Sequence, residues 1–172
     1  MVAVFIGVGS NIDPEENVVR ALRSLTAHVR ALSSSTFYRT RALGGPPQPD
    51  YANGVVKART SLSPLELKEL LRRIETENGR VRSSDRYAPR TIDFDLLLYG
   101  DRIVSEPGLT IPSPDILERP FVMIPLLELE PTLMIPGSGR PIAQLAAEGR
   151  QELEPWTSLT IQIQSILEGQ ET

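Results

Sequence analysis

Apolar positions over the first hundred residues follow two rhythms. One is continuous or of period two, the other of period near 3.6, and each switch between them marks an element. Val2–Gly7 (VAVFIG) is an unbroken β-prone run and predicts a buried strand. Gly9, Ser10 and Asn11 turn the chain. Asp13, Pro14 and Glu16 then supply an N-cap, a proline at the first helical position and an acid at the third. Val18, Leu22, Leu25 and Val29 recur at helical spacing, so a helix is expected over about 14–29. Ala31–Arg39 reads as a second strand. Residues 40–50 hold two glycines and three prolines and are expected to be a loop with the length of a lid. In the third strand, Tyr51–Arg59, Tyr51, Asn53 and Val55 share one face. Ala52, Gly54, Val56 and Ala58 share the other, small enough for a helix to pack closely. Ser63-Pro64-Leu65-Glu66 is a capping box, Leu67, Leu70, Leu71 and Ile74 are the stripe behind it, and Gly79 closes that helix. A fourth strand, Thr91–Tyr99, puts Asp93, Asp95, Leu97 and Tyr99 on one face. Ile92, Phe94, Leu96 and Leu98 then cover the buried one.

The order β-α-β-β-α-β predicts an α+β fold of ferredoxin-like type: an antiparallel sheet with both helices on one face and the other face open to ligand. Additional C-terminal elements follow: a helix over 119–129, a strand at 131–136 and a short helix at 142–147. Residues 1–147 are expected to form one domain. Residues 148–172, with five Glu, one Arg and a β-prone run at 158–166, read as an acidic extension to which the sequence assigns no role beyond solvation or self-association.

Composition narrows the chemistry. With 172 residues, 40% hydrophobic and 23% charged, the chain suits one soluble globular domain. No apolar run nears the roughly 20 residues of a membrane span, and the N-terminus lacks a basic leader, so a cytoplasmic protein with no membrane partner is expected. The absence of cysteine excludes disulfides and thiolate chemistry. Net charge is −4, yet residues 80–90 carry +3 and the remainder −7. The positive charge is thus focused where a polyanion would sit, which suits a nucleotide better than a duplex. The sequence has no P-loop, Lys57 and Lys68 are the only lysines, and the sole histidine, His28, has no triad partners.

What remains is Arg80, Arg82, Arg86 and Arg90 beside the pair Asp93 and Asp95. Two residues apart on a strand, the aspartates have Cα atoms roughly 6–7 Å apart. Their carboxylates can then reach two hard cations about 3.5–4 Å apart, as in-line phosphoryl transfer uses. Arginines clamp phosphate oxygens bidentately. The outline is that of a phosphoryl-transfer site.

The segments GSN (9–11), FYRT (37–40), PDYANGVV (49–56), RIE (73–75), GRVR (79–82), RYAPRTIDFDLLLYG (86–100), LTIPSP (109–114) and RPFVMIPLLEL (119–129) carry a resemblance. Over about residues 2–145 the chain resembles the 6-hydroxymethyl-7,8-dihydropterin pyrophosphokinase family of folate biosynthesis. The resemblance implies a ferredoxin-like fold and transfer of pyrophosphate from MgATP to the pterin hydroxymethyl group, leaving AMP. It implies two Mg²⁺ ions on Asp93 and Asp95, with Arg80 and Arg90 as catalytic cations. It assigns the pterin to Thr40, Leu43, Tyr51, Asn53 and Phe121. It assigns ATP to Glu75, Arg82, Leu96, Thr110 and Arg119, with Arg86 and Tyr87 on a mobile loop. ATP and the pterin are the implied partners, and oligomeric state is left open. Departures from the family pattern are Ser113 for a phosphate-contacting histidine, Gly108 for a basic residue, Tyr87 for a tryptophan and Phe94 for an aliphatic residue. The first two remove cations from the triphosphate side and imply weaker ATP binding or slower turnover, not loss of chemistry. The residues also leave open a ligand-holding relative without catalysis, a nucleotidyl transferase, and a single-strand RNA reader. Acidity and the open-face carboxylates disfavour the last.

Overall fold

In the computed structural model, which describes residues 1–148 and 153–169, the first apolar run becomes the central strand β1 (Val2–Ser10). It lies antiparallel between β4 (Tyr51–Thr60) and β5 (Asp93–Tyr99). The outer edge of β4 carries both β2 (Arg30–Ser34) and β3 (Tyr38–Thr40). A short strand β8 (Glu154–Pro155) extends the sheet beyond β3, giving the order β5-β1-β4-β3-β8. Helices α1 (Pro14–Thr26) and α2 (Pro64–Glu77) cover one face. Val4, Ile6, Val8, Ala52, Val56 and Ala58 meet Leu22, Leu25, Leu67 and Ile74 there in the main core. This is the expected ferredoxin-like arrangement.

The second strand differs from expectation: it is two strands, broken at residues 35–37. The Ser35 hydroxyl accepts the Val55 N–H (2.9 Å), taking a ladder bond away from the backbone. Phe37 then turns its ring onto Gly54, where a Cβ would lie only 2.6 Å from the ring. The small residue in β4 therefore admits an aromatic ring, not a helix.

The opposite face is only half open. Phe5, Val55, Leu97 and Leu98 pack there against Ile116, Val122 and Leu126. These come from α3 (Asp115–Glu118) and α4 (Pro120–Leu129). A bulge in β5 explains how two successive leucines reach this side. The register jumps from Ile6↔Leu96 to Phe5↔Leu98, which leaves Leu97 extra and reverses the alternation beyond it. Tyr99 consequently joins the helix-side core and Leu98 leaves it, opposite to a strict period of two. What stays open is the end of the sheet where β3, β4 and β5 present Thr40, Asn53 and Asp93.

Other local expectations divide. The Ser63–Glu66 capping box is present, and Gly79 takes φ +84° just past α2. Asp13 precedes α1 without a side-chain cap, and α1 ends at Thr26. Instead Asn17 Nδ2 donates to the Ile12 carbonyl at 2.6 Å. His28 lies exposed. Beyond β5 comes a hairpin of β6 (Val104–Glu106) and β7 (Leu109–Ile111). Residues 131–136 make only a bridge, Met134 to Pro141, because the chain doubles back through Gly137 and Gly139, both at positive φ. Helix α5 (Ile142–Glu148) follows as expected.

The largest correction lies in the tail. The β-prone run 158–166 is helix α6 (Thr157–Glu168). Leu159, Ile163 and Leu167, four residues apart, all enter the main core. Tertiary burial of that stripe outweighs the β-propensity of its residues. The described part of the extension is therefore packed and structural, not merely solvated. Residues 149–152 and 170–172 of it lie outside the described residues. Among the described residues no helix is long and apolar enough to cross a membrane.

Candidate active site

Glu75, in the last turn of α2 and 2% exposed, is the strut of the site. It accepts hydrogen bonds from the Phe94 backbone N–H (2.7 Å) and from Arg80 Nη1 (2.8 Å). Its other oxygen pairs with Arg82. Gly79 makes this possible: its left-handed turn returns the chain so that Arg80 N–H donates to the Glu75 carbonyl (3.0 Å). Burial pushes the Glu75 carboxyl up, and the Phe94 amide and the two arginines pull it back. Arg80 continues to Asp93, whose second oxygen pairs with Arg90.

Asp95 has different surroundings. It accepts from the Ser113 hydroxyl at 3.0 Å and has no arginine or lysine within 4.0 Å among the described residues. Ser113 is held in place by its own N–H on the Leu97 carbonyl (2.9 Å). Burial raises the Asp95 pKa. The Ser113 bond lowers it, Asp115 and Asp93 raise it further, and Lys68 offsets part of the rise. A half-buried carboxylate beside like charges, with a hydroxyl donor and no adjacent cation, is chemically suited to a divalent ion. No group of three or more His, Cys, Asp or Glu side chains among the described residues is placed to hold a metal ion by itself. A pair suffices for Mg²⁺, which completes its shell with water and substrate phosphate.

Two cavities flank this centre. One, of about 170 Å³, lies between α2 and the β6–β7 hairpin and is lined by Glu75, Arg82, Leu96 and Thr110 among others. The second, of about 310 Å³, is lined by Thr40, Leu43, Tyr51, Asn53 and Phe121, all five residues expected to hold a flat heterocycle. Asp93 borders both. Arg86, Tyr87 and Arg119, expected on the ATP side, line the second cavity in this structure.

The GSN segment, expected as a turn, instead completes β1, with Gly9 and Ser10 paired to Asn53 and Ala52, and its glycine has a physical reason. A Cβ on Gly9 would lie 2.8 Å from Asn53 Oδ1, so glycine makes room for that amide. Asn53 in turn donates to Thr40 Oγ1 at 2.7 Å. Asn11 is 1% exposed and exchanges bonds with Arg90: its Oδ1 accepts Arg90 N–H (2.8 Å) and its N–H donates to the Arg90 carbonyl (3.1 Å). Its amide also donates to Gln48 Oε1 (2.7 Å), and Gln48 Nε2 donates to the Tyr87 carbonyl (2.8 Å). Loops 40–50 and 80–90 are thus tied together. Gly44 and Gly45, at φ +74° and +70°, lie under the Tyr87 ring, where side chains would collide. Asn11, Gln48, Lys68 and Asp115 escaped the sequence reading as site residues. Only Asn11 carried a signal, as the last residue of the GSN segment.

Fold and site define an antiparallel ferredoxin-like α+β protein with an acid–arginine centre between two cavities. The wild-type Plasmodium falciparum HPPK-DHPS crystal structure with STZ-DHP superposes at a TM-score of 0.69 with 12% identity, covering 86% of this chain and 43% of that one. That likeness supports the fold. The model of the 7,8-dihydro-6-hydroxymethylpterin-pyrophosphokinase family matches residues 5–131. A Synechocystis 2-amino-4-hydroxy-6-hydroxymethyldihydropteridine pyrophosphokinase is 46% identical over 143 residues, 81% of this chain and 72% of the relative. A Haemophilus influenzae protein of the same name is 43% identical over 141 residues, 80% and 88% of the two chains. The chain belongs to the 7,8-dihydro-6-hydroxymethylpterin-pyrophosphokinase family.

Proposed function

We propose that the chain transfers pyrophosphate from MgATP to the hydroxymethyl group of 6-hydroxymethyl-7,8-dihydropterin, giving the pterin diphosphate and AMP in folate biosynthesis. The observation that carries the placement of this reaction is Asp93, which borders both cavities with Arg80 and Arg90 on its two oxygens. The donor nucleotide takes the cavity of Glu75, Arg82, Leu96 and Thr110. The pterin takes the cavity of Thr40, Leu43, Tyr51, Asn53 and Phe121, with its ring against aromatic faces and the Asn53 amide at its edge. Arg86, Tyr87 and Arg119 close the rim between them.

The pterin hydroxyl oxygen forms a bond to the β-phosphorus, the bond from that phosphorus to the α-bridging oxygen breaks, and the hydroxyl proton passes to solvent. Little covalent work falls to the protein, so positioning and charge carry the rate. Asp93 and Asp95 would hold two Mg²⁺ ions, which neutralise phosphate charge. Arg80 and Arg90, both paired with Asp93, stand beside the two cavities as the cations for the transferring phosphates. Glu75 keeps Arg80 and Arg82 aimed throughout. The substrates are small molecules and the assigned compartment is the cytoplasm, with neither nucleic acid nor membrane required.

The test is to incubate the protein with ATP, Mg²⁺ and the hydroxymethyl-dihydropterin and to separate AMP from ADP. One AMP per pterin consumed is expected. ADP as the product, or AMP formed without pterin, would overturn the proposal, the latter in favour of nucleotidyl transfer.

A further inference from the structure

Lys68, Leu71, Arg72 and Glu75 line the 170 Å³ cavity from one stripe of α2, at the i, i+3, i+4, i+7 spacing that shares a helix face. The cations of this region are unequally employed. Arg80 and Arg82 are both bound to Glu75, and Arg80 and Arg90 to Asp93. Lys68 has no carboxylate within 4.0 Å among the described residues, although it lines the same cavity as Asp93 and Asp95.

Across the cavity stands the Pro107-Gly108 turn of the β6–β7 hairpin. Gly108 takes φ +77°, which this turn requires of its second central residue. It contributes no side chain, and a Cβ placed there would lie 3.4 Å from Lys68 Nζ. The ammonium thus fills the space that residue 108 leaves. Its pKa is lowered, first by burial and then by Arg72 and Arg82, while Asp95 pulls it upward. An ammonium that is partly desolvated and crowded by two arginines gains from an anion that satisfies all three.

We propose that Lys68 is a polyphosphate-binding cation of the donor cavity, reaching the nucleotide's phosphates across the opening left by Gly108. This rests on the pyrophosphokinase reading and adds to it a donor-specificity residue. The expected cationic deficit at Gly108 is then met from α2.

The test compares MgATP binding by calorimetry, without pterin, in wild type, Lys68→Met and Lys68→Arg. Met keeps the stem and removes the charge; Arg keeps the charge. Weakening of about tenfold for Lys68→Met is expected, the size of one charge-assisted hydrogen bond. Near wild-type affinity is expected for Lys68→Arg, with the KM for the pterin unchanged in both. Thermal melts check folding, and Lys68→Gln serves as a second neutral variant if Met perturbs it. Unchanged affinity in a folded neutral variant, or equal loss in Lys68→Arg, overturns the inference while leaving the reaction intact. A wild type that binds no MgATP overturns the pyrophosphokinase reading and this inference with it.

Discussion

Asp93 and Asp95 look equivalent in sequence but differ in the fold, because only Asp93 is reached by arginines. Asp95 is half-buried with a raised pKa, so its ionised form is disfavoured in the folded state relative to the unfolded one. Its charge therefore detracts from stability at neutral pH, and protonation relieves that cost as pH falls through the raised value. Asp95→Asn, which can still accept from Ser113, is expected to raise the melting temperature of the ligand-free protein at pH 7 by about 2–4 °C per kcal/mol relieved. The same change is expected to abolish transfer. A melting curve and a turnover assay on one preparation check both, and the gain should shrink on acidification as wild-type Asp95 protonates. Retained turnover in Asp95→Asn would count against the metal assignment. Ser113→His is expected to tighten ATP binding, since Asp95 beside it would hold an imidazolium. Equal affinities in a titration would sink that expectation.

At the scale of elements, the C-terminal strand and helix hold the edge of the sheet that leads into the second cavity. Strand β8 pairs with β3 at Tyr38 and Arg39, just before Thr40. The Trp156 N–H donates to the Phe37 carbonyl (2.7 Å), and Thr160 Oγ1 accepts the Phe37 N–H (2.9 Å). Glu15 on α1 accepts from Trp156 Nε1 (2.9 Å) and from Ser158 Oγ (2.6 Å), and these bonds hold its carboxyl below the usual glutamate range. A depressed folded pKa contributes stability at neutral pH that is lost as pH falls through it. Trp156 is the sole tryptophan, with the Arg39 guanidinium 3.8 Å from its ring centre, so its fluorescence reports docking of the tail. Acid titration is expected to change that emission below the ordinary glutamate range, and Glu15→Gln to abolish the transition. An identical titration in Glu15→Gln would show that Glu15 does not set it. Ending the chain at residue 148 removes Leu159, Ile163 and Leu167 from the core. It should cost on the order of 5 kcal/mol, and a truncated chain melting with the full one would refute this.

Across the whole molecule, a chain of net charge −4 concentrates +3 within residues 80–90 and folds Arg80, Arg82 and Arg90 onto Glu75 and Asp93. The pterin-side residues came only from the family resemblance; most element types before residue 148, the ferredoxin-like order and the acid–arginine centre were legible in sequence. Each rests on local chemistry: period-two and period-3.6 patterning, the capping box, and charged residues adjoining an apolar strand. The break in the second strand was not legible, because it depends on Ser35 meeting Val55, twenty residues away, and on Phe37 meeting Gly54. The β5 bulge, which redirects Leu98 and Tyr99, depends on pairing with β1. The helicity of 157–168 depends on a core to bury its stripe. The tie from Asn11 to Arg90 and Gln48, and the approach of Lys68 to Gly108, join positions 37 to 79 residues apart. By itself the sequence determined most of the elements and the kind of chemistry, because propensity, periodicity and charge act between neighbours. Only the tertiary structure decided which charges are paired and which stand free, because desolvation and contact distance exist only once distant segments have packed together.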